Sequence, residues 1–133
     1  MTHSFTCRVY YEDTDMAGIV YHANYLKFIE RARSEMVREA GVSQAALKAG
    51  QGMVFAVRRM EMDFFLPARF EDLLTVTTEI TALKGASFDL EQVVWRGEDK
   101  LFRAGVQVVS MTETGRAVRI PADIRQKLSG TGH

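Results

Sequence analysis

One stretch of helical periodicity, set in a chain otherwise patterned for strands, limits most sharply what this sequence can fold into. From Asn24 to Ala40 the apolar residues Tyr25, Phe28, Ile29, Ala32, Met36 and Ala40 recur on one helical face. Lys27, Glu30, Arg31, Arg33, Glu35, Arg38 and Glu39 occupy the rest. Asn24 is the expected N-cap and Gly41 the expected stop. Before the helix, Phe5 to Tyr11 alternates as a strand and Glu12 to Gly18 is a polar turn. After it, Ser43 caps a short helix through Leu47, ending near Gly50. Strands follow at Val54–Phe65, closed by Pro67, and at Leu73–Leu83, Ser87–Trp95 and Leu101–Thr112. Their connections are the turns Lys84-Gly85, Arg96-Gly97-Glu98-Asp99 and Glu113-Thr114-Gly115-Arg116. Pro121 to Leu128 is a short terminal helix, and Ser129–His133 a frayed tail.

Strands joined by tight turns pair antiparallel, because a parallel crossover needs many more residues. The expected class is therefore α+β, one long helix covering one face of an antiparallel sheet. No second long helix is available for the other face. That predicts an apolar surface or a sheet edge covered by another subunit, hence a homo-oligomer. The 133 residues, 47% of them apolar, suit one domain over 1–133.

Charge excludes some partners. Lys plus Arg and Asp plus Glu are 17 each, so there is no basic footprint for nucleic acid. No apolar run is long enough to span a bilayer. Met1-Thr2-His3-Ser4-Phe5 lacks the features of a signal peptide. A lone Cys7, expected as a small buried residue, fits a reducing cytoplasm.

The chemistry concentrates at Asp15-Met16-Ala17-Gly18-Ile19-Val20-Tyr21-His22. A carboxylate, a glycine hinge and an imidazole share one short turn ahead of the long helix. The helix start offers unpaired N–H groups and a positive dipole end. Such a site can hold a developing oxyanion beside a base or nucleophile. A calcium loop starting at Asp13 fails, since Ala17 cannot ligate and Asn24 is not a bidentate Glu. His22 has no partner at zinc spacing, so no metal is expected.

The run Tyr11-Glu12-Asp13-Thr14-Asp15-Met16-Ala17-Gly18-Ile19-Val20-Tyr21-His22-Ala23-Asn24-Tyr25-Leu26 resembles the signature of the 4-hydroxybenzoyl-CoA thioesterase branch of the hotdog superfamily. Within it the chain is most similar to YbgC-type acyl-CoA thioesterases, which are associated with the Tol–Pal system. The likeness continues through Phe28–Met36 and Asp63–Val76, with a weaker echo at Gly115–Pro121. It implies a hotdog fold, an antiparallel sheet wrapped around one long central helix. It also implies hydrolysis of an acyl-CoA thioester, with the catalytic carboxylate falling on Asp15. The active site would lie at a homodimer interface, with dimers pairing into a homotetramer. The YbgC likeness suggests short-chain acyl groups, and the wider family includes aromatic ones.

On this resemblance Asp15 attacks the thioester carbonyl directly or activates water as a general base. A thiolate leaves readily, so strong acid assistance is not needed. The oxyanion would rest on backbone N–H groups around Tyr21, His22 and Ala23, with Gly18 making the tight turn into position. His22 polarises the carbonyl, orients water or assists the leaving thiolate, or else simply starts the helix. Glu12 and Asp13 are read as solvated loop charges. Lys84 is the first choice for the phosphates of coenzyme A, with Arg58, Arg59 and Arg69 behind it. Tyr21 and Tyr25 line the acyl pocket or pack, and Phe55, Val57, Met60, Met62 and Phe64 shape the acyl end. No cofactor is required, coenzyme A being part of the substrate. Acyl carrier protein is an alternative donor. Two rivals remain: a hotdog hydratase or dehydratase pairing His22 with Glu30, and a non-catalytic acyl-carrier-binding module.

Overall fold

The computed structural model describes residues 2–130. Strand β1 (His3–Arg8) leads through a 3-10 turn at Tyr11–Asp13 and another at His22–Asn24 into α1 (Tyr25–Glu39). Then come α2 (Gln44–Gln51), β2 (Met53–Phe64), β3 (Leu73–Leu83), β4 (Ser87–Arg96), β5 (Asp99–Thr112) and α3 (Ala122–Ser129). The expected frayed tail lies at 131–133 outside the described residues, whereas Ser129 still closes α3. The strands form one antiparallel sheet in the order β1-β3-β4-β5-β2.

Alternation along each strand sorts side chains to two faces. Leu74, Val76 and Ile80 of β3, Phe88, Leu90 and Val94 of β4, and Phe102, Ala104, Val106 and Val108 of β5 are buried beneath α1. From α1, Phe28, Ile29, Ala32 and Met36 have no exposed surface. Each large apolar side chain so buried contributes about 1.5–3 kcal/mol. The helical face expected from sequence is the one that packs, with Val37 rather than Ala40 at its far end.

One polar group interrupts this core. Gln92, fully buried on β4, donates from Nε2 to the Ile29 carbonyl at 3.0 Å and to Thr78 Oγ1 at 2.9 Å. Its Oε1 accepts from Arg33 Nη1 at 3.0 Å. A buried amide left without partners costs several kcal/mol, so three bonds to α1 and β3 pin the helix to one place on the sheet.

The helix ends follow the sequence in part. Gly41 has φ +90°, Gly41 N–H donates to Arg38 O at 3.0 Å and Val42 N–H to Val37 O at 3.2 Å. This is a Schellman stop. Ser43 caps α2 by accepting from Ala46 N–H at 3.2 Å, and Gly52 ends it in the left-handed region at φ +62°. Asn24, the expected cap of α1, does not cap: its side chain makes no bond to the first turn. Strand β1 stops at Arg8, short of Tyr11, because Tyr10 N–H turns to the Asp13 carboxyl group at 2.8 Å.

The far face of the sheet is not the apolar surface that a lone covering helix allows. Thr75, Thr77, Glu79, Asp89, Glu91, Arg103 and Gln107 point that way in the observed registers. Arg103 binds both Glu91 oxygens at 2.8 Å and reaches Asp63 at 3.2 Å. Apolar exposure collects at the β2 edge instead, at Val57, Met62 and Phe64 and in the following Phe65 and Leu66. Replacing the fully buried Phe28 by Ala should cost about 3–5 kcal/mol, read as a lower midpoint in urea denaturation with little change in slope.

Candidate active site

Asp15 sits in a short hairpin between β1 and α1. Thr14 and Val20 form a bridge across it, and Asp15 N–H donates to Ile19 O at 2.9 Å. Gly18 N–H closes the turn on Asp15 O at 3.0 Å, and Gly18 itself has φ +78°. A side chain at that φ is strained, which is why glycine stands there. Asp15 Oδ1 accepts from Ala17 N–H at 2.8 Å, so the carboxylate is oriented while remaining exposed. Met16 occupies the fully exposed tip. A second seam runs along the hairpin, where Val20 N–H meets Ala68 O at 2.8 Å and Ile19 bridges Arg69.

Asp13, read from sequence as a solvated charge, is instead 5% exposed and holds the loop together. Its Oδ1 accepts from Asn24 Nδ2 at 2.7 Å and its Oδ2 from Tyr10 N–H at 2.8 Å. Its carbonyl accepts from Tyr21 N–H at 2.9 Å. The hairpin is thereby tied to the start of α1. Only Glu12 of the neighbouring pair is a surface charge. The sequence signal for Asp13 is weak, because its partner lies eleven residues away.

The expected backbone donors divide into two sets. The N–H groups of Gly18 and Tyr21 are spent on Asp15 O and Asp13 O. Those of His22 and Ala23, the opening residues of the turn before α1, have no partner among the described residues. They are the pair left free for an anionic oxygen. The His22 ring is exposed, 4.6 Å from the Tyr21 ring and 6.4 Å from Phe64. Tyr25 does not line a cleft. It is 3% exposed, stacks on Phe102 at 4.8 Å and accepts from Ala68 N–H through its hydroxyl at 3.1 Å. Burial raises its phenol pKa, partly offset by that hydrogen bond.

The basic candidates are dispersed. Arg69 is exposed and adjoins the Asp15 hairpin through Ile19. Lys84 and Arg59 share a trough on the outer sheet face with Glu61, Asp89, Glu91 and Arg103. There Lys84 Nζ lies 3.4 Å from Asp89. Arg58 falls at the β2 bulge between Val57 and Arg59 and is exposed. Glu30, the hydratase partner considered for His22, lies two turns along α1 and accepts from Ser34 Oγ at 3.0 Å. Eight helical residues correspond to roughly 12 Å of rise, too far for one proton-transfer pair within a subunit. Among the described residues no three His, Cys, Asp or Glu side chains gather as a metal site. No described helix is long and apolar enough to cross a membrane.

Known proteins place this geometry in context. The sequence model of the thioesterase superfamily matches residues 17–102, beginning just past Asp15. Over 94 residues the chain is 48% identical to the acyl-CoA thioester hydrolase YbgC of Escherichia coli O6:H1, covering 71% of this chain and 69% of that one. A crystal structure of a probable thioesterase from Bartonella henselae superposes with TM-score 0.87 at 43% identity, over 91% of this chain and 100% of that one. A 4-hydroxybenzoyl CoA thioesterase variant complexed with 4-hydroxybenzoyl CoA has TM-score 0.87 at 24% identity, over 95% and 97% of the two chains. That last likeness speaks for the fold alone. The sheet around one long helix is thus the hotdog fold.

Two outcomes test the loop architecture. Asn24→Ala leaves the buried Asp13 carboxylate short of a donor, which should cost about 1.5–3 kcal/mol and speed hydrogen exchange at the Tyr10 and Tyr21 amides. Burial pushes the Cys7 thiol from 9.0 up to about 11, against a lowering by Arg31 and with a small further rise from Asp13. The folded state therefore favours the neutral thiol, and stability contributed by Cys7 is constant below pH 9.0 and lost from there toward about 11. Iodoacetamide should label Cys7 far more slowly in folded than in urea-unfolded protein at pH 8, with the gap closing above about pH 11.

Proposed function

The chain belongs to the thioesterase superfamily, and from that premise we propose that it hydrolyses acyl-CoA thioesters as a single hotdog domain over 1–133. Water adds its oxygen to the acyl carbon, the carbon–sulfur bond breaks, and free acid and coenzyme A thiol leave. Asp15 acts either by attacking the carbonyl and being regenerated by water, or by taking the proton of an attacking water. The observation that carries this is one oriented, exposed carboxylate on a hairpin clamped to a helix start whose first two N–H groups, at His22 and Ala23, are unspent. Those groups meet the oxyanion as it forms, and losing one such donor costs about 2.7–4 kcal/mol in other enzymes. His22, exposed beside them, contacts the carbonyl or the departing sulfur.

The acyl group is short-chain and the donor coenzyme A, with acyl carrier protein the alternative. Arg69, close to the hairpin, suits the phosphates best by position, with Lys84, Arg58 and Arg59 further round the sheet. The chemistry needs no cofactor or metal. The protein works in the cytoplasm as a homodimer joined at the exposed β2 edge, with dimers pairing into a homotetramer. An unpaired edge strand flanked by exposed Val57, Met62 and Phe64 supports that assembly.

Asp15→Asn keeps the shape of the side chain and removes its basicity. Turnover, followed by thiol release from a panel of short, long and aromatic acyl-CoA esters, should fall by at least about a hundredfold with the circular dichroism spectrum unchanged. Hydrolysis at the wild-type rate would remove Asp15 from the chemistry.

A further inference from the structure

A cavity of about 230 Å³ lies between α1 and the edge strand β2, lined by Glu30, Arg33 and Ser34 on the helix and Phe55 and Val57 on the strand. Phe64, at the far end of β2, approaches the His22 ring. Working back from it along the same face of β2 come Met62, Met60 and Val57, opposite the core positions Ala104, Val106 and Val108 of β5. On the helix, Leu26, Glu30, Arg33 and Val37 share one face. Ten residues from Ala23 to Arg33 amount to roughly 15 Å, and a helical side chain leans back toward the N-terminus, which shortens that span. A strip that is apolar on its β2 side therefore leads from His22 to a cavity lined by both Arg33 and Glu30.

That end is built. Arg33 Nη1 is held by Gln92 Oε1 at 3.0 Å, and Gln92 is fully buried and itself fixed by Thr78 and the Ile29 carbonyl. No ion pair among the described residues includes Arg33. A guanidinium has five N–H donors and no acceptor, so beyond its bond to Gln92 it can still donate to a further oxygen. Desolvation lowers its pKa, opposed by the nearby Glu30. A dry cavity of about 150 Å³ takes one benzene, so this one has room for roughly nine heavy atoms.

We propose that this cavity receives the distal end of the acyl group, and that Arg33, positioned by Gln92, selects acyl chains carrying an acceptor oxygen at that end. The proposal rests on the thioesterase reading and adds to the short-chain substrates a second class: longer acyl groups ending in a hydroxyl or a carboxylate rather than in plain alkyl. Glu30 beside Arg33 can also accept the proton of a hydroxyl, while it would repel a carboxylate.

The test compares dodecanoyl-CoA, 12-hydroxydodecanoyl-CoA and dodecanedioyl-CoA, matched in length and long enough to cover the roughly 15 Å from the helix start to Arg33, by thiol release. A hydrogen bond to a charged donor is worth roughly a ten- to hundredfold preference. Wild type should favour at least one oxygen-ended thioester over dodecanoyl-CoA by about that ratio in kcat/KM. The hydroxyl and carboxylate arms identify which oxygen is read. Arg33→Met, which keeps the stem and removes the donors, should bring the ratio near one. Arg33→Lys should recover part of it for dodecanedioyl-CoA. A wild-type ratio of one or less for both oxygen-ended substrates, or a wild-type ratio retained in Arg33→Met, overturns the proposal and leaves the hydrolase standing. Should Arg33→Met not fold, the wild-type ratio and Arg33→Lys decide. No hydrolysis of any of the three by a protein that still cleaves short-chain acyl-CoA overturns the selectivity alone, and no hydrolysis of either set overturns the thioesterase reading with it.

Discussion

The buried Asp13 carboxyl group is the contact on which the site depends. Two aspartates stand two residues apart and meet opposite environments. Asp13 turns inward, where Asn24 Nδ2 and Tyr10 N–H satisfy one oxygen each. Asp15 turns outward, with one oxygen oriented by Ala17 N–H. The first placement makes the second useful. With Asp13 gripping both Tyr10, just past β1, and the residue at the helix start, the hairpin has little freedom to swing. A carboxylate on an untethered loop would spend most of its time away from any one reacting carbon, and misplacement by even an ångström is costly in catalysis. The same tie consumes Tyr21 N–H and so narrows the free donors to His22 and Ala23.

A second polar anchor acts further along the helix. Gln92 binds the Ile29 carbonyl from the sheet, and this sets the height of α1 above β3 and β4. The two anchors fix the helix at its start and near its middle. Apolar packing alone tolerates small slides of a helix, because dispersion contacts are non-directional. Hydrogen bonds in a low-dielectric core are less forgiving, since a lost partner leaves a buried polar group unpaid. The donors at the helix N-terminus and the guanidinium of Arg33 are thus held at a set separation.

The elements legible in the sequence are those governed by period and punctuation. The buried face of α1, the Gly41 stop, the Ser43 cap and the four later strands all follow from spacing or from the φ that glycine permits. The hairpin around Asp15 was legible for a similar reason, as Gly18 marks a turn that few other residues could make. What escaped was long-range polar pairing. Asn24 has the chemistry of an N-cap, and nothing local reveals that it spends its amide on Asp13 instead. Asp13 looks like any loop carboxylate until the chain folds back over it. Gln92 did leave a trace: Phe88, Leu90 and Val94 alternate on the core face of β4, and Gln92 occupies the same phase. A polar residue in an apolar phase implies a buried partner, though not which one. Tyr25 shows the converse, for its place on the apolar stripe outweighed its hydroxyl, which found Ala68 N–H inside the core.

The distribution of charge over the sheet bears on how such a domain meets a second copy. A face lined by Thr75, Thr77, Glu91 and Arg103 gains little from apolar contact, and its bidentate Arg103–Glu91 pair is already satisfied. The β2 edge differs on both counts. It offers unpaired backbone groups along a twelve-residue strand, and Val57, Met62 and Phe64 remain half-exposed on the side facing the groove. Pairing there would satisfy the edge and bury those side chains in one step. It would also wall the open side of the groove beside α1, the route from the carboxylate hairpin to Arg33. Water excluded from that route strengthens every charge interaction along it. In the proposed dimer, assembly and catalysis would draw on the same strand: the edge closed by the second copy would be the one that encloses the substrate.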